Sequence, residues 1–143
     1  MNMALDVGNL EKFNPWWGKG AVPAELLGKH QRQVLDEAAK QMDRRFIVLI
    51  YGLRRVGKTT VLYQLIDSLL KKGVKPTNIL YYSFDEQPAS IGEVVSVYEE
   101  KVLKARIGDG KNYLFLDEVQ KVKDWQSKLK VLYDLNPGLK ILV

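Results

Sequence analysis

The chain has 143 residues, 46% hydrophobic and 27% charged, which suits one globular domain and excludes disordered and fibrous classes. Lysine and arginine total 22 against 17 acidic residues, and much of the +5 net charge lies around Arg54, Arg55 and Lys58. Such a local excess suits a phosphate site better than a nucleic-acid surface, so a nucleic-acid partner is possible but not indicated. The absence of cysteine excludes disulfides and thiolate chemistry, and a single histidine excludes a histidine metal cluster.

The predicted elements begin after an irregular segment. Residues 1–23 contain asparagine, glycine and proline at intervals, which predicts irregular structure. We expect this segment to pack on the core through Trp16 and Trp17. A helix follows over 24–43, and the core domain is assigned to 24–143. The longest apolar run, 46–53, is too short for a membrane span, and no signal pattern precedes it. We therefore expect a cytoplasmic protein without a membrane partner.

Strands and helices then alternate along the chain. Apolar runs and helical spacing predict strands at 46–51, 79–84, 113–116 and 139–143, and helices at 58–72, 90–107 and 124–135. Ser90 and Glu93 form a capping-box pattern, and Gly73 is a helix stop. Because parallel strands need crossover helices, this order predicts an α/β three-layer sandwich with a parallel sheet. Its ligand should lie at the carboxyl ends of the strands.

Residues 52–59 match the Walker A pattern G-x-x-x-x-G-K-[ST] between a predicted strand and helix. The glycines let backbone N–H groups cradle a phosphate at the helix N-terminus. Lys58 would face the β- and γ-phosphates, Thr59 would ligate Mg²⁺, and Thr60 would lie at the α-phosphate. Two interpretations of Arg54 stay open: its side chain contacts phosphate or a partner subunit, or it is a solvated charge on an exposed loop. For Arg55, the solvated charge is the favoured interpretation. The predicted nucleotide-binding residues are Gly52, Leu53, Arg54, Arg55, Val56, Gly57, Lys58, Thr59 and Thr60.

A carboxylate is needed beyond the loop to hold the Mg²⁺ shell, and the predicted strand 113–116 ends in Asp117-Glu118. We predict Asp117 and Thr59 as the metal site, and Glu118 with Lys58 as the catalytic pair, Glu118 orienting or activating a water. A rival pair, Asp85-Glu86, follows the strand at 79–84. That strand contains Ser83 and is typical of an exposed edge, so Asp85 is the less favoured metal ligand. The alternative interpretation is that Asp85 is a solvated acidic residue in a loop.

Four stretches carry a family resemblance: Asn14–Trp17, Gly52–Thr60, Ile79–Asp85, and Leu114–Gln120 with Trp125 after it. Together they resemble the AAA-type P-loop ATPases of archaea and bacteria, which usually carry a further C-terminal domain of unknown function. The resemblance implies ATP and Mg²⁺ as ligands, and an additional-strand P-loop fold with the fourth strand between the first and third. It also implies self-association or an unknown protein partner. Trp16 and Trp17 would then either border the adenine or cap the core.

Similar proteins continue past the fourth strand with a polar sensor residue, a fifth strand, a helical lid and often an arginine finger. Because this sequence ends at Val143, we expect an incomplete module that binds ATP and ADP but hydrolyses ATP weakly. The favoured function is the ATP-binding module of an AAA-type ATPase that hydrolyses ATP to ADP and phosphate in the full-length protein. A P-loop small-molecule kinase and a non-catalytic nucleotide-sensing module are the alternatives.

Overall fold

The computed structural model describes residues 5–28, Lys40 and 58–143. Three short helices open the chain: α1 (Val7–Glu11), α2 (Trp16–Lys19) and α3 (Ala24–Leu27). The segment predicted as irregular therefore contains helical turns. The helix predicted over 24–43 begins at Ala24 as expected, but it is wrong as one continuous helix, because α3 ends before Gly28, whose φ of 55° lies outside helical geometry. Of the rest of that prediction, only Lys40 is described, and it is helical.

Helix α4 (Lys58–Lys71) matches the predicted helix almost residue for residue. It ends at Gly73, with a φ of 94°, where the N–H groups of Gly73 and Val74 bond to the carbonyls of Leu70 and Leu69. The predicted glycine stop is thus confirmed. The buried face of α4 contains Val61, Leu62, Leu65, Ile66 and Leu69.

Three parallel strands form the sheet in the described residues: β1 (Ile79–Ser83), β2 (Asn112–Asp117) and β3 (Leu139–Leu142). Strand β2 is central and pairs with both others. The register sets Ser83 beside Asp117, so the carboxyl ends of β1 and β2 lie together. These strands confirm the predictions for 79–84, 113–116 and 139–143 and the parallel α/β class, while the predicted strand 46–51 lies outside the described residues.

The two crossover helices differ in regularity. Helix α5 (Ile91–Val97) begins with the predicted capping box, in which Ser90 and Glu93 exchange two hydrogen bonds of 3.0 Å. It continues as a π-helical stretch, Tyr98–Leu103, and stops there rather than at residue 107, because Lys104 adopts a left-handed φ of 53°. Helix α6 (Trp125–Leu135) ends where the sequence predicts.

The N-terminal segment packs along the edge of β1 that faces away from β2. The Asn14 side chain takes the place of a neighbouring strand: its Nδ2 donates to the Tyr81 carbonyl at 2.9 Å, and its Oδ1 accepts from the Tyr81 N–H at 2.7 Å. The indole N–H groups of Trp16 and Trp17 both donate to the Ile79 carbonyl, at 3.1 and 2.8 Å. These contacts satisfy backbone groups that an edge strand would otherwise leave unpaired. A domain boundary at residue 23 stays a prediction.

Candidate functional site

Asp117 lies at the carboxyl end of β2 and is only 2% exposed. Its Oδ2 accepts two hydrogen bonds, from the Thr59 hydroxyl at 2.6 Å and from the Tyr81 hydroxyl at 2.7 Å. Thr59 belongs to the first turn of α4 and Tyr81 to the middle of β1, so three elements meet at this carboxylate. The structure therefore brings together the two residues that the sequence predicts as the metal site.

The geometry of this pair fits a magnesium ion. A hydroxyl has one proton and two lone pairs, so Thr59 can donate to Asp117 while its oxygen stays open to a cation. Asp117 Oδ1 is buried and has no hydrogen-bond partner among the described residues, which leaves it able to accept from a metal-bound water. Mg²⁺ keeps several waters and takes only one or two protein ligands beside substrate phosphates. Thr59 and Asp117 would therefore suffice to hold it there.

The predicted phosphate-binding residues are only partly described. Lys58, Thr59 and Thr60 form the first turn of α4, whereas Gly52, Leu53, Arg54, Arg55, Val56 and Gly57 lie outside the described residues. Gly28 lies against this turn: a Cβ built on it would come within 2.9 Å of Thr60 Cγ2. This approach of α3 to α4 could not be predicted from the sequence, because no local pattern relates residue 28 to residue 60.

Glu118 follows Asp117 in a left-handed conformation, with a φ of 56°. A non-glycine residue in this region stores roughly 1–3 kcal/mol of strain, and such residues cluster at functional sites. The conformation begins a 3₁₀ turn, Val119–Lys121, and the half-buried Glu118 carboxylate accepts from Gln120 Nε2 at 2.6 Å. The sequence did not predict this contact between Gln120 and the Glu118 carboxylate.

The rival carboxylate, Asp85, is exposed and forms an ion pair with Lys121. Strand β1 ends at Ser83, and the next residue, Phe84, donates its N–H to the carbonyl of Asp117 at 3.0 Å. The Asp117 carboxylate is buried at the meeting of three elements, whereas the Asp85 carboxylate faces solvent. The choice of Asp117 over Asp85 as the metal ligand stays a prediction.

Tyr81 is the residue of this site that the sequence analysis missed. Burial, and then the negative charge of Asp117, raise the pKa of the Tyr81 phenol, so its hydroxyl keeps its proton and acts as a donor. Tyr63 of α4 lies beside it, with ring centroids 4.7 Å apart. A tyrosine in a buried strand is typical of a core residue. Only the register, which aligns Tyr81 with Phe115 and so sets it on the same face as Asp117, could have identified it.

The two tryptophans lie away from this carboxylate. Both indoles bond to Ile79, at the amino end of β1, and Trp16 is fully buried. Asp117 pairs with Ser83 at the other end, about 13 Å away at some 3.3 Å per residue. Of the two interpretations given above, the contacts favour tryptophans that cap the core.

Comparison with known proteins identifies the class. A family model described as an AAA domain matches residues 44–143, which include Lys58, Thr59, Asp117 and Glu118. An uncharacterized protein of Methanocaldococcus jannaschii is 35% identical over 95 residues, 64% of this chain and 20% of that protein. An uncharacterized protein of Haemophilus influenzae is 30% identical over 99 residues, 68% of this chain and 25% of its own length.

A second uncharacterized Methanocaldococcus jannaschii protein is 32% identical over 88 residues, 62% of this chain and 19% of that protein. The chain thus spans about a fifth to a quarter of the length of these relatives. No solved structure matches the chain. Within the described residues, no helix combines the length and apolar character that crossing a membrane requires.

Proposed function

The chain belongs to the AAA domain family, and we propose that it is the ATP-binding module of an ATPase, with MgATP held by a Walker A loop and a Walker B carboxylate. The hydrogen bond between Thr59 and Asp117 carries this proposal. It joins the first turn after the loop to the end of β2, across 58 residues of sequence. A magnesium site shared by two motifs requires such a junction.

Each residue has a distinct task in this proposal. The sequence pattern of residues 52–57 is that of a phosphate-binding loop leading into α4, and Lys58 would add a point charge beside the β- and γ-phosphates. Thr59 and Asp117 would hold Mg²⁺, which would supply neutralisation of charge on the phosphate oxygens. Thr60, one residue further along α4, contacts the α-phosphate. Gly28 closes against Thr60 and shapes the rim of the site on the side of α3.

The sheet order supports the additional-strand form of the fold. Both edges of β2 are occupied, by β1 on one side and β3 on the other. The predicted strand 46–51 therefore has no place beside β2 and would pair elsewhere in the sheet. In the additional-strand arrangement it lies beyond β3, with β3 between it and the strand that carries Asp117. The three-layer sandwich stays part of this proposal.

Hydrolysis is assigned to Glu118. Its carboxylate follows the metal carboxylate directly and accepts a hydrogen bond from Gln120. From there it would position a water for attack on the γ-phosphate and accept a proton from it. The left-handed backbone at Glu118 fixes where this carboxylate leaves the strand. Weak hydrolysis by the 143-residue chain stays a prediction.

A binding titration tests the proposal. Calorimetry should detect MgATP binding to the chain, and Lys58→Ala should weaken it at least about tenfold, because a charge facing the phosphates is lost. The matched control is Lys72→Ala, which removes an exposed lysine just beyond the other end of α4. Equal affinities for the wild type, Lys58→Ala and Lys72→Ala, in folded proteins, would contradict the phosphate-loop assignment.

Phosphate release tests the role of Glu118 and separates an ATPase from a non-catalytic nucleotide-sensing module. Glu118→Gln keeps the shape and the contact with Gln120 but removes the base, so it should retain MgATP binding. In the full-length protein, Mg²⁺-dependent phosphate release should fall by about 100-fold or more in this variant, whereas the weak release expected of the 143-residue chain should change little. Turnover that survives in full-length Glu118→Gln would assign the water-positioning role to another residue.

A further inference from the structure

We propose that Tyr81 is a positioning residue for the magnesium site: its hydroxyl holds Oδ2 of Asp117, so that Oδ1 is presented to the water shell of the metal. The inference rests on the proposed function, because it assumes that Asp117 serves a bound magnesium ion. It goes further in assigning a task to a strand residue outside the Walker motifs. The ligand is thus a magnesium nucleotide, and Tyr81 affects its binding by holding Asp117 in place.

The two carboxylate oxygens of Asp117 have different surroundings. Oδ2 accepts from both Thr59 and Tyr81, at 2.6 and 2.7 Å, while Oδ1 is buried without a partner among the described residues. The torsion that orients an aspartate carboxylate is broad and nearly two-fold, so one donor alone leaves it loosely defined. Two donors from different elements fix the carboxylate and leave Oδ1 as the oxygen without a partner among the described residues.

Tyr81 is itself held in place by its neighbours. Asn14 bonds to both its N–H and its carbonyl, at 2.7 and 2.9 Å. The rings of Phe13 and Tyr63 pack against the Tyr81 ring, at centroid distances of 6.2 and 4.7 Å. A donor held this firmly loses little freedom when the site orders, as an effective outer-shell partner should. Two of these supports, Phe13 and Asn14, lie outside the matched range 44–143.

A purely structural role is the competing explanation. Buried carboxylates need donors, and Tyr81 could simply satisfy one. The two explanations differ in their dependence on the metal. A structural role lowers stability and affects nucleotide binding equally with and without Mg²⁺. A positioning role affects nucleotide affinity only when the metal is present, because Oδ1 has no metal-bound water to contact without it.

The test compares Tyr81→Phe with Tyr82→Phe. Both remove one hydroxyl from adjacent residues of β1, but the Tyr82 hydroxyl donates to the carbonyl of Gln87 instead of Asp117. ATP affinity is measured by calorimetry with Mg²⁺ and with a chelator, and the ratio gives the gain due to magnesium. We expect Tyr81→Phe to reduce this gain about fivefold or more, with affinity in chelator unchanged, while Tyr82→Phe retains the wild-type gain.

The Asp117→Asn background adds a second measurement. If Tyr81 acts through Asp117, Tyr81→Phe should cause no further loss of the magnesium gain there. An unchanged gain in Tyr81→Phe, or an equal loss with and without Mg²⁺, would overturn the inference. If Tyr81→Phe does not fold, Tyr81→Met is judged by the same ratio. A wild type without magnesium-dependent binding would instead reject the proposed function, before any variant is compared.

Discussion

At the scale of single residues, the site depends on a carboxylate whose two oxygens have different surroundings. One oxygen of Asp117 is held by hydroxyls from α4 and β1, and the other is buried without a hydrogen-bond partner among the described residues. Asp85, in contrast, forms a solvent-exposed ion pair with Lys121, and such a pair contributes little to the stability of the fold. Burial and convergence separate a candidate metal ligand from a surface acid, although both follow a strand.

This difference predicts opposite outcomes for one substitution at two positions. Asp117→Asn should remove most of the gain in ATP affinity that Mg²⁺ provides, about tenfold or more, because an amide is a poorer acceptor for metal-bound water. Asp85→Asn should leave that gain unchanged. Calorimetry with Mg²⁺ and with a chelator measures both. Loss of the gain in Asp85→Asn alone would reverse the assignment.

At the scale of elements, β1 shows how a sheet edge is closed by side chains rather than by another strand. Asn14 pairs with both polar groups of Tyr81, and two indoles share the carbonyl of Ile79. Asparagine suits this position because its amide carries the donor and the acceptor of a peptide group. The N-terminal segment thereby shields an edge that would otherwise invite pairing with another chain.

Asn14→Ala should therefore destabilise the fold strongly. It leaves the N–H and the carbonyl of Tyr81 without their partner in a buried setting, a cost of about 2 kcal/mol or more. Urea unfolding followed by circular dichroism measures the change. Glu11→Ala, an exposed substitution in the same segment, is the control and should change stability by less than about 0.5 kcal/mol. Equal midpoints for the two variants would contradict this account of the edge.

At the scale of the whole molecule, the core of the described residues contains buried phenols. Tyr81, Tyr82 and Tyr98 are essentially inaccessible to solvent, and each hydroxyl donates a hydrogen bond. Burial raises the pKa of Tyr98, and burial followed by the charge of Glu93 raises the pKa of Tyr82 to about 12. At a pH at which the tyrosines of the unfolded chain lose their protons, these side chains therefore keep theirs in the folded state.

The consequence is a fall in stability at high pH. An unfolded tyrosine loses its proton near pH 10, so above that pH the folded state binds more protons, and stability falls as pH rises through the folded pKa. For each proton that the folded state retains, the free energy of unfolding should fall by about 1.4 kcal/mol more per pH unit. Urea unfolding at a series of pH values measures the slope, and Tyr98→Phe should reduce it. An unchanged slope in Tyr98→Phe would show that this phenol ionises in the folded protein.

Much of the fold could be predicted from the sequence, because its signals are local. The buried face and glycine stop of α4, the capping box of α5 and the apolar runs of the three described strands are each contained within a few residues. Local signals failed where the backbone left regular geometry. The positive φ angles of Gly28 and Lys104 ended helices that apolar spacing alone would have continued.

The sequence by itself determined the family and the residue types of the site, since a phosphate-binding motif and a strand ending in Asp117-Glu118 are read from neighbouring residues. Only the tertiary structure decided which side chains meet there. Tyr81 reaches Asp117 across 36 residues, and Asn14 reaches Tyr81 across 67. Such contacts depend on strand register and on the path of the N-terminal segment. Both are set by packing of the whole core, so no local pattern of residues encodes them.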